Sequence, residues 1–133
     1  MLNRRQTGDA GEQAAADMLQ KQGWRILYRN WRHGAWELDI VCEDGDTVVF
    51  VEVKTRAAGG LTRPDEALTP AKRAALTKAA RAWLAAHDAW HKPCRFDLVC
   101  AQGNGQTYTL EHYRDAFDLS QPVGGGNTSW QPW

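Results

Sequence analysis

Residues 48–56 read Val48-Val49-Phe50-Val51-Glu52-Val53-Lys54-Thr55-Arg56. The first half is apolar, β-branched and aromatic, the composition of a strand buried on at least one face. Glu52 and Lys54 then place a carboxylate and an ammonium two residues apart on that strand. Side chains alternate across a strand, so Val48, Phe50, Glu52 and Lys54 share one face and Val49, Val51 and Val53 the other.

Just upstream, residues 36–42 read as a second strand, and Glu43-Asp44-Gly45-Asp46 as a hairpin turn, because Asp-Gly suits a type I′ loop. With Asp44-Gly45 as the loop, Glu43 pairs with Asp46, Val41 with Val48, Asp39 with Phe50 and Glu37 with Glu52. Glu37, Asp39 and Val41 then share a face, and Leu38, Ile40 and Cys42 its opposite. Asp39 lies diagonally from Glu52, roughly 7–8 Å away at the backbone. Slippage by one residue would separate the two carboxylates, so the pairing rests on the turn. The expected cluster is Glu37, Asp39, Glu52 and Lys54, an excess of negative charge. Partly buried like charges repel and lose hydration. A divalent, oxygen-preferring cation relieves both costs, and Mg2+ typically takes one or two carboxylates plus waters and phosphate oxygens. The plainer alternative is a solvated salt bridge between Glu52 and Lys54, worth about 0–1 kcal/mol.

Working outward, a first helix is expected over about Asp9–Gln22, with Asp9 and Glu12 as a capping box and Gly23 as its stop. Ala15, Met18, Leu19 and Gln22 line one of its faces. A strand follows over Trp24–Trp31. The third strand spans Thr47–Lys54. Ala57–Thr69, with two glycines and Pro64, reads as a mobile loop. Thr69 and Pro70 open a second long helix to about His87, striped by Leu76, Ala80, Trp83 and Leu84. Strands over Arg95–Ala101 and Thr107–Leu110 and a short helix within Tyr113–Leu119 complete the chain. From Ser120 onward the composition predicts a disordered tail. The expected fold is α/β, a mixed sheet flanked by helices in the order αβββαββ, as a single domain over residues 1–119.

The totals set limits. The 133 residues carry 16 basic and 16 acidic side chains. That balance argues against a nucleic-acid-coating protein yet leaves room for a local basic patch. No apolar run spans a bilayer and no secretory signal opens the chain, so no membrane role is expected. Three cysteines without a CxxC suggest free thiols in a reducing compartment, by default the cytoplasm.

Several segments together resemble a known family. They are Gly8-Asp9-Ala10-Gly11-Glu12-Gln13-Ala14-Ala15, Tyr28-Arg29-Asn30-Trp31-Arg32, Glu37-Leu38-Asp39-Ile40-Val41 and Phe50-Val51-Glu52-Val53-Lys54-Thr55-Arg56. Thr69-Pro70-x-Lys72 and Arg95-Phe96-Asp97 follow. Asp39 with Glu52-x-Lys54 is similar to the PD-(D/E)XK nuclease motif. The ordered set resembles the YraN-like family of uncharacterised bacterial proteins, akin to archaeal Holliday-junction resolvases. The resemblance covers about Gly8–Leu119 and implies a restriction-endonuclease-like fold and a Mg2+-dependent endonuclease acting on DNA, with Mn2+ as the substitute ion. It implies Asp39, Glu52 and the backbone carbonyl of Val53 as metal ligands, Lys54 as the catalytic lysine and Glu12 as a further site carboxylate from the first helix. It also suggests a homodimer, since resolvases act as symmetric dimers. One position departs: Trp36 stands where the family pattern carries glycine. That indole can narrow the approach of a nucleic-acid backbone or stack on a base.

Lys72 falls in line with the helix stripe on the side facing the sheet, where it reaches a phosphate or snorkels past the core edge. Arg56 belongs to a candidate basic rim with Arg63 and Arg73. His33, His87, His91 and His112 show no metal-ligand spacing and are expected at the surface. Asp97 is expected in a structural pair. Besides a nuclease, the pattern admits a nucleic-acid- or partner-binding module without turnover, and an accessory protein using the fold alone.

Overall fold

A computed structural model describes residues 4–57, 63–104 and 106–117. Helix α1 (Arg4–Lys21) is followed by strands β1 (Arg25–His33), β2 (Trp36–Asp44) and β3 (Thr47–Ala57). A short helix α2 (Pro64–Ala67), the long helix α3 (Pro70–Ala86) and strands β4 (Cys94–Gly103) and β5 (Tyr108–Tyr113) complete it. The strands lie in the order β1-β2-β3-β4-β5. All neighbours are antiparallel except β3 and β4, which run parallel and are joined through α3. This mixed α/β architecture is the expected one and is consistent with a restriction-endonuclease-like fold. Among the described residues no helix is long and apolar enough to cross a membrane.

The apolar run at 48–51 is the centre of the sheet, and both of its faces are covered. Val48 and Phe50 pack with Leu76, Trp83 and Leu84 of α3, while Val49 and Val51 pack with Ala15, Ala16 and Leu19 of α1. A strand sandwiched this way reads as a continuous hydrophobic run rather than an alternation. Thr69 caps α3 by accepting a hydrogen bond from the Lys72 amide at 3.2 Å, and Pro70 occupies its first turn.

Some expectations change. Helix α1 already runs from Arg4, so Asp9 and Glu12 lie inside it and form no capping box. The β2–β3 loop is Gly45-Asp46, with Asp44 opposite Thr47 and positive φ at Gly45, the first loop position. Glycine there marks a type II′ turn rather than I′. The register therefore moves by two residues: Val41 faces Phe50, and Ile40 faces Val51. An even shift preserves faces from Ile40 to Asp44, and Asp39 comes beside Glu52 where the ladder ends.

The face assignment of β2 fails at one point. Leu38 packs in the α3-side cluster and Ile40 in the α1-side cluster, although only one residue separates them. The strand turns over at Asp39. Opposite this point on β1, Asn30 takes a left-handed conformation (φ 53°), and the regular β2–β3 ladder reaches no further than Ile40 and Val51. Residues 64–67 form a short helix inside the stretch read as loop. Residues 113–117 continue a strand into a turn and show no helix. The readings of residues 58–62 and of the tail from Ser120 lie outside the described residues.

Candidate functional site

The site is built where β2 parts from β3. The Val53 amide donates to Asp39 Oδ2 at 2.9 Å, which fixes that carboxylate beside β3. Asp39 lies beside the almost fully buried Glu52, close enough that each carboxyl acts on the other's ionisation. From the α3 side, Lys72 Nζ reaches Glu52 Oε2 at 3.0 Å. From the α1 side, Glu12 is buried to 8% exposure and lies within the field of Asp39. Three carboxylates thus come from three elements.

Their ionisation follows from the surroundings. Burial, and then the charge of Asp39, push Glu52 up to about 8. Burial also raises Asp39, against the pull of the Val53 amide. Glu12 is raised by burial and then by Asp39, against the opposing pull of Arg29. Both shifts favour keeping a proton on the Asp39–Glu52 pair, because two neighbouring carboxylates resist simultaneous ionisation. Lys72 shows the complement: burial works to lower it, but Glu52 and the neighbouring acids outweigh that and raise it.

The sequence-predicted residues are not all brought together. Asp39, Glu52 and Glu12 converge. Lys54 lies on β3 two residues beyond Glu52, on the same side by alternation and half-buried. The lysine that pairs with Glu52 is Lys72, not Lys54. Val53 supplies its amide to Asp39. Arg56 is half-buried farther along β3 and donates to the Thr55 carbonyl at 3.3 Å. Glu37 stands at the rim of the expected cluster: it is exposed and paired with Arg32 at 3.2 Å, and its charge still acts on Asp39 and Lys72. Two supports were missed. Arg29 contacts Glu12 at 3.3 Å and Gln13 at 2.7 Å, and Asn30 hydrogen-bonds Glu12. The only signal for them was their place in the Tyr28–Arg32 motif. Gly11 is a third support. A Cβ there would lie 2.4 Å from Thr55 Oγ1, so glycine lets α1 approach β3 one residue before Glu12.

His112 is not a surface residue. Its side chain is 10% exposed and its Nε2 donates to Asp97 Oδ2 at 2.8 Å. Arg95 also holds Asp97, as expected of a structural pair.

Among the described residues, no group of three or more His, Cys, Asp or Glu side chains is placed to hold a metal by itself. The donor chemistry of Asp39 and Glu52 nevertheless suits a hard cation. It offers oxygen-only donors with excess negative charge, currently offset by a shared proton and an ammonium.

Fold and site together define an α/β protein with a buried acidic pair at the open end of a central strand. Residues 11–101 match the uncharacterised protein family UPF0102, the YraN-like family, and the chain belongs to it. A relative from Nitratidesulfovibrio vulgaris (strain DP4) is 65% identical over 130 residues, covering 98% of this chain and 97% of the relative. One from Lawsonia intracellularis is 45% identical over 126 residues, covering 95% and 96%. One from Oleidesulfovibrio alaskensis is 40% identical, covering 95% and 92%. Their names carry the family label and no activity.

Proposed function

We propose that this chain is a metal-dependent endonuclease acting on DNA, of a branched or processed kind, in the cytoplasm. The observation that supports this most is the Asp39–Glu52 pair where β2 and β3 part, with Asp39 held by the Val53 amide and the buried Glu52 leaning on Lys72. Structural carboxylates are rarely left so short of positive partners.

Asp39, Glu52 and the Val53 carbonyl would hold Mg2+ or Mn2+. Such an ion supplies Lewis acidity at a phosphate oxygen and a more acidic water. The chain's own residues do the rest. The Val53 amide keeps Asp39 oriented, so its oxygens need no reorganisation. Losing the shared proton makes Glu52 a full anion. Lys72, then facing an incoming phosphodiester, exchanges part of its interaction with Glu52 for a phosphate oxygen. Lys54, on the same side of β3, stabilises charge building on the phosphate or orients water. Glu12 lies beyond Asp39 and can accept a proton.

The test is cleavage of branched, nicked and single-stranded DNA with Mg2+ and Mn2+, comparing wild type with Asp39→Ala, Glu52→Ala and Lys54→Ala. Metal-dependent cleavage lost in all three, with DNA binding kept, supports the reading. Wild-type inactivity on every substrate overturns it. A second reading, a binding module without turnover, is favoured by the Lys72–Glu52 ion pair, which satisfies Glu52 without any metal. Binding that persists with no cleavage under any condition would select it.

A further inference from the structure

The surface beside the site carries an aromatic row that the acidic pair does not explain. It begins in the core, where Trp83 stacks on His87 at 4.2 Å and 18°. His87 meets Trp31 edge-on at 6.4 Å. Trp31 then lies parallel to His33 at 5.8 Å and 7°, and His33 to Trp36 at 6.2 Å and 20°. Tyr28 joins the inner end, with its ring 5.0 Å from His87. At that end a hollow of about 360 Å3 opens, lined by Leu27, Tyr28, Trp83, His87 and Lys92 among others. Tyr28 and Trp36 are the large apolar side chains exposed at the described surface, 44% and 36%.

The row follows β1, which is the end strand of the sheet among the described residues. The same strand carries Arg25 and Arg32, whose side chains are 73% and 75% exposed. Their partners, Glu43 and Glu37, hold them in surface ion pairs, which are weak and easily exchanged for phosphate. The outer end of the row, Trp36, starts β2, and Asp39 stands three residues on, about 10 Å along the strand.

The rings of Trp31, His33 and Trp36 share one face of the β1–β2 edge, with Arg25 at its inner end and Arg32 turned to the other face between Trp31 and His33. Flat rings flanked by exposed arginines suit a ligand that carries both π-faces and phosphates. A closed duplex hides its base faces in its own stack, and an apolar protein partner would gain little from the histidines in the row and the arginines beside it. We infer that the β1–β2 edge, ending at Trp36, is a stacking platform for unpaired nucleotides of a nucleic-acid strand. It leads that strand to the Asp39–Glu52 site. The inference deepens the nuclease reading and rests on it for the direction of the strand, but not for binding.

The test is binding without catalysis. Fluorescence anisotropy with a labelled oligothymidylate of about 12 nucleotides, within the usual site size, is run in chelator so that no divalent ion contributes. An oligouridylate and the same thymidylate annealed to its complement serve as second and third probes. The expected result is that the single strand binds more tightly than the duplex. Trp36→Ala weakens strand binding about tenfold, the loss of one stacked base, while Trp36→Phe stays close to wild type and Thr109→Ala, on β5 at the other end of the sheet order, is unchanged. Equal strand binding by wild type and Trp36→Ala overturns the inference, as does duplex binding at least as tight as strand binding. So does a Trp36→Ala change confined to self-association in sedimentation, which would make this edge a contact between copies. The two readings fail separately. Strand binding that depends on Trp36 with no cleavage anywhere keeps the platform and removes the nuclease. Metal-dependent cleavage with Trp36→Ala binding normally does the reverse.

Discussion

Glu52 and Asp97 lie on adjacent strands, one position apart: Glu52 faces Leu98, and Val51 faces Asp97. Both are buried acids, Asp97 the more so at 1% exposure. Burial would raise either, yet they move in opposite directions. Asp97 is lowered, because His112, Arg95 and the Asp115 amide together outweigh the cost of burial. Arg95 is in turn seated over Trp24, with Arg114 also 5.0 Å from that ring. Glu52 has Lys72 on one side but another carboxylate on the other, and it is raised. Burial alone therefore marks no site. The difference lies in whether the fold supplies enough positive partners. At Asp97 the acid ties β4 to the end of the chain; at Glu52 the fold leaves a deficit that a cation can fill.

The comparison can be broken most forcefully at Asp97. Replacing it with alanine strands Arg95 and the Asp115 amide in a buried setting, and is expected to cost about 3–5 kcal/mol. Urea unfolding checks this; a loss below about 1 kcal/mol would mean the network carries little.

The pH dependence should differ in sign between the two acids. Glu52 titrates near 4.5 when unfolded and about 8 when folded. The folded chain then binds more protons across that window, so its stability is full below pH 4.5 and falls as pH rises towards 8. Asp97 is lowered from 3.8, so its contribution is present above that pH and is lost only as pH falls through its folded value. Thermal melts of the metal-free protein should show the first decline. Glu52→Gln should flatten it and raise stability at pH 8 by an amount on the order of a few kcal/mol. An unchanged slope in that variant would assign the decline elsewhere.

A smaller effect sharpens the role of α1. Gly11→Ala puts a Cβ against Thr55 and is expected to cost about 1–3 kcal/mol. Because Glu12 is the next residue, cleavage should fall more than stability suggests. Thr55→Ser, paired with Gly11→Ala, should recover part of both losses by removing the methyl at 3.0 Å.

Much of this was legible in the sequence. The 48–51 run, the Thr69-Pro70 cap and the strand alternation sufficed to order the elements and to put Asp39 and Glu52 on one side. The loop was misread by one position, yet an even register shift spared the faces. The overturn of β2 at Asp39 was not legible, because Leu38 and Ile40 read as one face of a regular strand yet pack on two. Glu12 read as a cap because Asp9 and Glu12 match a capping box, while α1 already runs from Arg4. The Asp97–His112 bond was missed because it joins β4 to β5 across a turn, with no local spacing to announce it.

The central claim is that the Asp39–Glu52 deficit is a metal site. Titration calorimetry with Mg2+ and Mn2+ tests it most directly, on wild type, Asp39→Ala, Glu52→Ala and Asp97→Asn. The account predicts binding by wild type and Asp97→Asn, accompanied by proton release from the Asp39–Glu52 pair, and no binding by the two site variants. If wild type takes up neither ion at millimolar concentration, alone or with DNA present, the deficit has another purpose and the claim is wrong.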